Sequence, residues 1–341
     1  MLKTPSWYYK ENPPLYRWAL WPLSLLFGLA HNIRWASAKT PYRAKAKVIS
    51  IGNISVGGSA KTPVARALAH SLKTKGYRGL ILSRGYGGSQ IGPLLIDPNQ
   101  HDAAMVGDEP LMLSHGLDVM IAKNRADGLR RADEMGYEIV ILDDAHQNPS
   151  IHKDLSLVLI DALNDGGHLA FGDHSLLPMG PLREPLFKGI KRADHILFIV
   201  PSVNQVIHNS LLSTLSRFDR PQQKIVLRSD PNAQTHRRVH AFAGIAKPWR
   251  FHQSLIEHGF EITAFDEFAD HEPISSKRLS QLRTIAKASQ SALITTEKDY
   301  YRLNAHDREG IDILPLEALL PSSFVEGLID QLGLKAPISR L

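Results

Sequence analysis

The 341-residue chain contains no cysteine. Disulfides, zinc ribbons and thiol nucleophiles are thereby excluded, and the composition is compatible with a reducing compartment. No H-E-x-x-H pair or comparable ligand cluster occurs, which removes the zinc-hydrolase readings. Acids are almost missing from the first fifty residues. Glu11 stands alone there against Lys3, Lys10, Arg17, Arg34, Lys39, Arg43, Lys45 and Lys47, a local net charge of +7 against −1 for the remainder. The pI of 9.4 therefore belongs to the N-terminal segment, and a chain-wide nucleic-acid surface is not supported. An apolar run long enough to cross a bilayer is missing too. WALWPLSLLFGLA, residues 18–30, offers 13 residues, where a spanning helix needs ~20.

What is present points to a globular α/β protein. Hydrophobic content is 43% and charged content 22%, near globular averages, and at ~150 residues per domain the length predicts two domains. The basic N-terminal segment also holds four of the five tryptophans (Trp7, Trp18, Trp21, Trp35) and four of the nine tyrosines. Amphipathic rings favour the headgroup region, and flanking cations favour anionic lipid. With Pro22 disturbing a regular helix, residues 1–40 read as an interfacial or shallowly inserted helix in preference to a span. A core helix with a basic edge stays open as an alternative, and Ala36-Ser37-Ala38 imitates a signal-peptide cleavage site.

Residues 47–51, KVISI, form a β-branched run followed by GNISVGGSAKTPVARALAHSLKTKG. Val64, Leu68 and Leu72 then recur at helical spacing. Strand, glycine-rich loop and helix in succession aim backbone N–H groups and a helix N-terminus at an anion. The candidate phosphate loop is Ser55, Val56, Gly57, Gly58, Ser59, Ala60, Lys61 and Thr62. Lys61 is expected at the β/γ-phosphates of ATP and Thr62 on Mg²⁺. Against the strict G-x-x-x-x-G-K-[ST] pattern, Ser55 and Ala60 replace the two glycines. A plain glycine-rich turn with an incidental lysine is the ordinary alternative. Two further strands end in polar groups: GLILSRGYGG (79–88), which ends in Arg84 and glycines, and YEIVILDDA (137–145), which ends in Asp143-Asp144. The second suits a Walker-B strand, with Asp144 near Mg²⁺ at the carboxyl end of a parallel sheet. A buried strand capped by turn-forming Asp is its ordinary reading.

Several segments, in order, resemble the tetraacyldisaccharide 4′-kinase family: VISIGNISVGGSAKTPV, LSRGYGG, VGDEPLML, ILDDAHQ, FGDHSLLPMGPLREP, FAGIAKPWRF, FADH and LITTEKDYYRL. They cover roughly residues 45–305. Two departures from the family pattern stand out: Ala60 for glycine, and Ala145-His146 for Gly-Phe.

The resemblance implies an ATP- and Mg²⁺-dependent kinase. It would transfer the γ-phosphate to the 4′-hydroxyl of a tetraacylated glucosamine disaccharide 1-phosphate, forming lipid IVA at the cytoplasmic face of the Gram-negative inner membrane. It also implies a P-loop NTPase-like, mostly parallel sheet with helices on both faces, plus a smaller α/β domain across the active-site cleft. The expected division is 1–40 for the membrane-associated helix, 41–230 for the kinase domain and 231–341 for the smaller domain, whose first strand is RVHAFAGIA (238–246). The expected partners are the lipid-linked disaccharide and an anionic membrane surface, with no obligate protein partner.

By the same resemblance, Asp108 in VGDEP is the candidate base and His271 in FADH its helper. Asp108 also reads as a helix N-cap, and a lone histidine as structural. Glu109 is either a second Mg²⁺ contact or a helix-start acid. Arg183, beside Glu184 in GPLREP, suits a forked contact to phosphate, with a surface ion pair as the alternative. Lys298 and Asp299 in TEKD read as a structural turn without chemistry. A membrane-recruited P-loop ATPase or GTPase switch remains the alternative function, although no guanine-reading [NT]-K-x-D is present.

Overall fold

The computed structural model describes residues 5–10, 13–38, 40–57, 60–162, 170–230, 237–270 and 272–336. Short 3-10 turns at Ser6–Tyr9 and Leu15–Leu20 lead into α1 (Trp21–Ala36). The phosphate-loop region is β1 (Lys47–Gly52) and α2 (Lys61–Thr74), followed by β2 (Gly79–Ser83) and β3 (Leu94–Leu95). Next come α3 (Ala103–Val106), α4 (Asp108–Ser114), β4 (Val119–Ile121), α5 (Arg125–Glu134) and β5 (Ile139–Asp143). The chain continues through β6 (Leu155–Asp161), α6 (Leu186–Lys191), β7 (His195–Val200), α7 (Asn209–Leu215) and β8 (Gln222–Ser229). A second group holds β9 (Arg238–Ala243), α8 (Pro248–Glu257), β10 (Glu261–Glu267), α9 (Ser276–Ala288) and β11 (Ala292–Thr296). It closes with α10 (Glu297–Arg302) and β12 (Ile311–Leu314), and β13 (Leu316–Leu319) and α11 (Ser322–Gln331) complete the chain.

The strands build two sheets. The larger has the order β13-β8-β7-β6-β1-β5-β2-β4-β3, and the smaller is β10-β9-β11-β12. Every pairing in the smaller sheet is parallel. In the larger one only the edge strands β13 and β3 run antiparallel, so the expectation of a mostly parallel α/β sheet holds. The reason is visible in β1, whose alternate side chains enter opposite faces. Ile49 and Ile51 pack with Val64, Leu68 and Leu72 of α2. Val48 joins Leu80, Leu82, Val140 and Leu142 under Leu129 of α5. Such two-sided burial is why these strands read as continuous apolar runs.

The order places β1 between β5 and β6. That is where successive crossovers diverge to the two halves of the sheet, leaving a crevice at the strands' carboxyl ends. β13 and α11, which fall in the 231–341 range, return to the large sheet. Ala318, Val325, Leu328, Ile329 and Leu332 are buried in the same cluster as Ile49 and Ile51.

α1 docks by one narrow face. Ser24 Oγ donates to Leu176 O at 2.9 Å and accepts from Met179 N at 2.9 Å. A Cβ at Gly28 would lie 2.9 Å from Leu176 Cδ1, so a larger residue there would oblige the Leu176 side chain to shift. Arg17 pairs with Asp173 at 2.6 Å, and Tyr8 OH donates to Pro178 O at 2.7 Å. The other faces present Trp21, Leu25, Leu26, Leu29 and Ile33, and the preceding turn presents Trp18, all more than half exposed. Sixteen helical residues extend about 24 Å, and no helix among the described residues is long and apolar enough to cross a membrane.

Candidate active site

β1 delivers the chain to Asn53, which is almost wholly buried. Asn53 Oδ1 accepts from Lys61 Nζ at 3.3 Å and from Arg183 Nη1 at 2.9 Å. Ser55 then bridges Leu182, and Val56 N donates to Pro181 O at 2.9 Å. The leading edge of the loop is therefore held by the 181–183 segment, and any anion cup falls to the residues after Val56. Gly57 has φ +102° and lies under the Tyr9 ring, whose hydroxyl donates to Val56 O. Burial pushes the Tyr9 phenol up to about 12, so it stays a donor. Gly58 and Ser59 lie outside the described residues. Ala60 caps α2 in the left-handed region at φ 56°, the conformation that glycine adopts freely. Lys61 and Thr62 open α2, where the first amides have no intrahelical acceptor and the helix dipole is positive.

Two carboxylates meet this helix start from β5. Asp144, at φ 53°, receives both Arg183 nitrogens at 2.6 and 3.0 Å, and Lys61 Nζ lies 3.7 Å away. Burial works to raise the Asp144 carboxyl, but Lys61 and the Arg183 fork outweigh it and hold it at about 2. Its neighbour Asp143 is pushed up to about 7, first by burial and then by Glu109. Asp143 Oδ1 is buried with no hydrogen-bond partner among the described residues. Adjacent acids thus occupy opposite electrostatic conditions: burial and Glu109 dominate at Asp143, whereas Lys61 and the Arg183 fork dominate at Asp144. Arg183 does form an ion pair with Asp144, its side chain 31% exposed, and it is tied to the loop by its own N–H, which donates to Ile54 O at 2.8 Å.

The far wall is α4. Gly107 holds its N-cap position and Asp108 is its first residue, so the N-cap alternative for Asp108 does not describe this helix. Asp108 is buried; its Oδ1 accepts from Glu109 N at 2.9 Å, and its Oδ2 accepts from Arg302 Nη2 at 2.9 Å. Glu109 Oε2 accepts from Thr62 Oγ1 at 3.4 Å, while Glu109 Oε1 meets Lys298 Nζ at 3.0 Å. Lys298 also lies 3.9 Å from Asp270. Burial opposes its charge, but Glu109, Asp108 and Asp270 outweigh that and raise its pKa. Arg66 of α2 grips Glu297 with 2.9 and 2.8 Å contacts. The smaller sheet's α10 is therefore joined to α2 and α4 by three ion pairs.

Lys61, Thr62, Asp108, Glu109, Asp144 and Arg183 accordingly share one cleft. His271 lies outside the described residues, although Asp270 before it reaches the cleft. Arg84 sits exposed at the end of β2. Three contributors were missed from sequence: Asn53, Lys298 and Arg302. The only signal for the latter two was the TEKDYYR segment, whose turn-like pattern gave no reason to expect a cleft-facing helix. Glu184, named only as a neighbour of Arg183, is fully buried. It accepts from Gln147 Nε2 at 2.8 Å and from Arg192, and Gln147 also donates to Asn53 O at 2.7 Å. His146, where the family pattern has phenylalanine, fills a polar slot between Ser156 Oγ (2.8 Å) and Gly189 O (3.0 Å). Burial holds its ring at about 4.

Among the described residues no three acidic or histidine side chains form a ready metal cage. Mg²⁺ rarely needs one, since it keeps several waters and takes one or two carboxylates plus nucleotide phosphates. The Thr62 hydroxyl, Glu109 and the unpartnered oxygen of Asp143 are oxygen donors of that kind.

A strand, loop and lysine-bearing helix facing strand-end carboxylates define the class: an α/β protein of the P-loop type, with α10 of a second sheet ion-paired to α2 and α4. Residues 16–333 match the family described as Tetraacyldisaccharide-1-P 4'-kinase. The tetraacyldisaccharide 4'-kinase of Phenylobacterium zucineum is 39% identical over 322 residues, 93% of this chain and 95% of that one. The one of Caulobacter vibrioides is 38% identical over 338 residues, 98% and 99% of the two chains. Among solved structures, LpxK from Aquifex aeolicus in complex with ATP superposes with a TM-score of 0.73 at 26% identity, over 93% of this chain and 99% of that one. The chain belongs to the tetraacyldisaccharide 4′-kinase family and, as a member, is a kinase.

Proposed function

We propose that the chain transfers the γ-phosphate of ATP to the 4′-hydroxyl of tetraacyldisaccharide 1-phosphate, yielding lipid IVA and ADP. The observation that carries the reading is the meeting of Lys61 and Thr62, at the start of α2, with Asp144, Glu109 and Asp108 in one cleft. In this reading Lys61 neutralises the β/γ-phosphates, helped by the amides from Gly57 to Thr62. Thr62, Glu109 and Asp144, with the Asp143 oxygen beside them, would hold Mg²⁺, whose charge would offset that of the phosphates. Asp108 accepts the proton of the attacking hydroxyl, and His271 orients or relays it. Arg183 fits the transferring phosphate or the acceptor's 1-phosphate, using the fork it now gives to Asp144. As the new P–O bond forms, the bond to the bridging oxygen of ADP breaks.

Residues 41–230 together with β13 and α11 act as the kinase unit, and residues 238–314 as the unit that closes the cleft. The exposed apolar faces of α1 and the basic charge of residues 1–50 support seating at the anionic cytoplasmic leaflet of the Gram-negative inner membrane. No observation favours a nucleotide switch.

The test is radiolabelled ATP with purified tetraacyldisaccharide 1-phosphate. Wild type should yield a bis-phosphorylated lipid. Lys61→Ala and Thr62→Ala should each lower turnover by about 10²–10³-fold with unchanged thermal unfolding. Full turnover in a folded Lys61→Ala enzyme removes the phosphate-loop assignment.

A further inference from the structure

The second sheet contributes a side chain that no motif of the phosphate loop or of the Walker-B strand supplies. Arg302, in the last turn of α10, reaches into the first body and contacts Asp108 twice through one oxygen: Nη2 at 2.9 Å and Nε at 3.3 Å from Oδ2. The other oxygen of Asp108 is fixed to its own helix through Glu109 N. Glu109 N and Arg302 thus each hold one oxygen of the carboxylate.

The arginine is itself fixed. Its Nη1 donates to Asp299 Oδ1 at 2.7 Å and to Gly244 O at 3.2 Å. Asp299 is fully buried, and its second oxygen accepts Gly244 N at 2.9 Å and Thr296 Oγ1 at 2.7 Å. Gly244 follows β9, and a Cβ there would lie 3.1 Å from Asp299 Oδ1 and 3.2 Å from Arg302 Nη1. The side chains of Arg302 and Asp108 are only 11% and 8% exposed. This contrasts with solvated ion pairs, which hold no fixed geometry and contribute little. A buried, hydrogen-bonded fork is the type of arginine contact that orients a carboxylate.

We propose that Arg302 is a positioning residue for phosphoryl transfer. It holds the Asp108 carboxylate at the angle needed to take the acceptor's proton, and it makes that angle depend on the second sheet's being docked on the first. The proposal rests on reading Asp108 as the base. Arg302 touches neither nucleotide nor acceptor in this assignment, so its effect must pass through Asp108 and appear in kcat.

The experiment is a double-mutant cycle on the full-length kinase, with steady-state kinetics and thermal unfolding for wild type, Asp108→Asn, Arg302→Met and the pair. Arg302→Lys and Gly244→Ala are measured in parallel. Arg302→Met should lower kcat by roughly 10²-fold, the scale of an ångström's misplacement at a reacting group, with KM for ATP within about two-fold. In the Asp108→Asn background the same change should have less than about a three-fold effect, because the group it positions is gone. Arg302→Lys should recover part of kcat. Gly244→Ala, which crowds the guanidinium without removing it, should lower kcat by about ten-fold.

Equal losses from Arg302→Met in both backgrounds overturn the proposal, as does a rise in KM for ATP with kcat intact. Should Arg302→Met not fold, wild-type kcat in both Arg302→Lys and Gly244→Ala overturns it instead. If Asp108→Asn alone retains wild-type kcat, the base assignment fails first, a result separable from failure of Arg302.

Discussion

Ala60 shows how one methyl bears on the phosphate loop. An L-residue in the left-handed region costs about 1–2 kcal/mol, and Ala60 sits there at φ 56°. Its partly buried methyl also packs against the core beneath α2, which returns some of that cost. Glycine would remove the strain but lose the contact and about 0.5–1 kcal/mol of backbone entropy. The expected order of stability in urea unfolding is therefore Ala60→Gly above wild type by about 0.5 kcal/mol, with Ala60→Val lower by about 2 kcal/mol, since a branched side chain fits this conformation worst. A valine variant as stable as wild type would mean that the loop relaxes out of the left-handed region. The same scale shows where sequence reasoning stops. That Lys61 and Thr62 open a helix follows from the motif. That Asp143 and Asp144 differ so sharply in proton affinity does not, because the difference arises from burial and Glu109 at Asp143 and from Lys61 and Arg183 at Asp144, the last of these 39 positions along the chain.

At the scale of single elements, β1, β2 and β5 were readable because both their faces are buried, and α2 because Val64, Leu68 and Leu72 share one face. α1 was readable only as apolar and basic-flanked. Its docking face is built on Ser24 and Gly28, residues that a hydrophobicity pattern passes over, and continues through His31 beside Glu184 and Trp35 under Arg192. The structure leaves Trp21, Leu25 and Leu29 outward, with Trp18 in the turn before them, and the proposed membrane seating would bury these side chains at roughly 1.5–3 kcal/mol each. Trp21→Glu with Leu25→Glu should therefore lower co-sedimentation with anionic vesicles by more than ten-fold. Activity on a detergent-dispersed acceptor should stay within about three-fold, because neither residue faces the docking groove. Undiminished vesicle binding by that variant would assign membrane attachment to the basic charges alone.

At the scale of the whole molecule, the two sheets are joined by side chains and by the path of the chain. Arg66–Glu297, Lys298–Glu109 and Arg302–Asp108 connect them at the cleft, and Lys247 and Arg250 of the second body both reach Asp161 at the end of β6. None of these pairings is local in sequence, which is why TEKDYYR read as a turn without chemistry. The return of β13 and α11 was hidden for the same reason: Leu316–Leu319 is a short run with no period that distinguishes one sheet from the other, and its partner β8 lies about ninety residues earlier. Energetically the return is large. Val325, Leu328, Ile329 and Leu332 are almost fully buried against the phosphate-loop body, together worth on the order of 10 kcal/mol, comparable with the whole stability of a typical domain. Ending the chain after Leu314 should therefore unfold the large sheet, although every phosphate-loop residue and all four strands of the small sheet remain. Circular dichroism and the thermal unfolding of residues 1–314 measure this directly. The expected result is loss of the cooperative transition, whereas a truncated protein melting within a few degrees of the full chain would show that the phosphate-loop body is complete without its C-terminal strand.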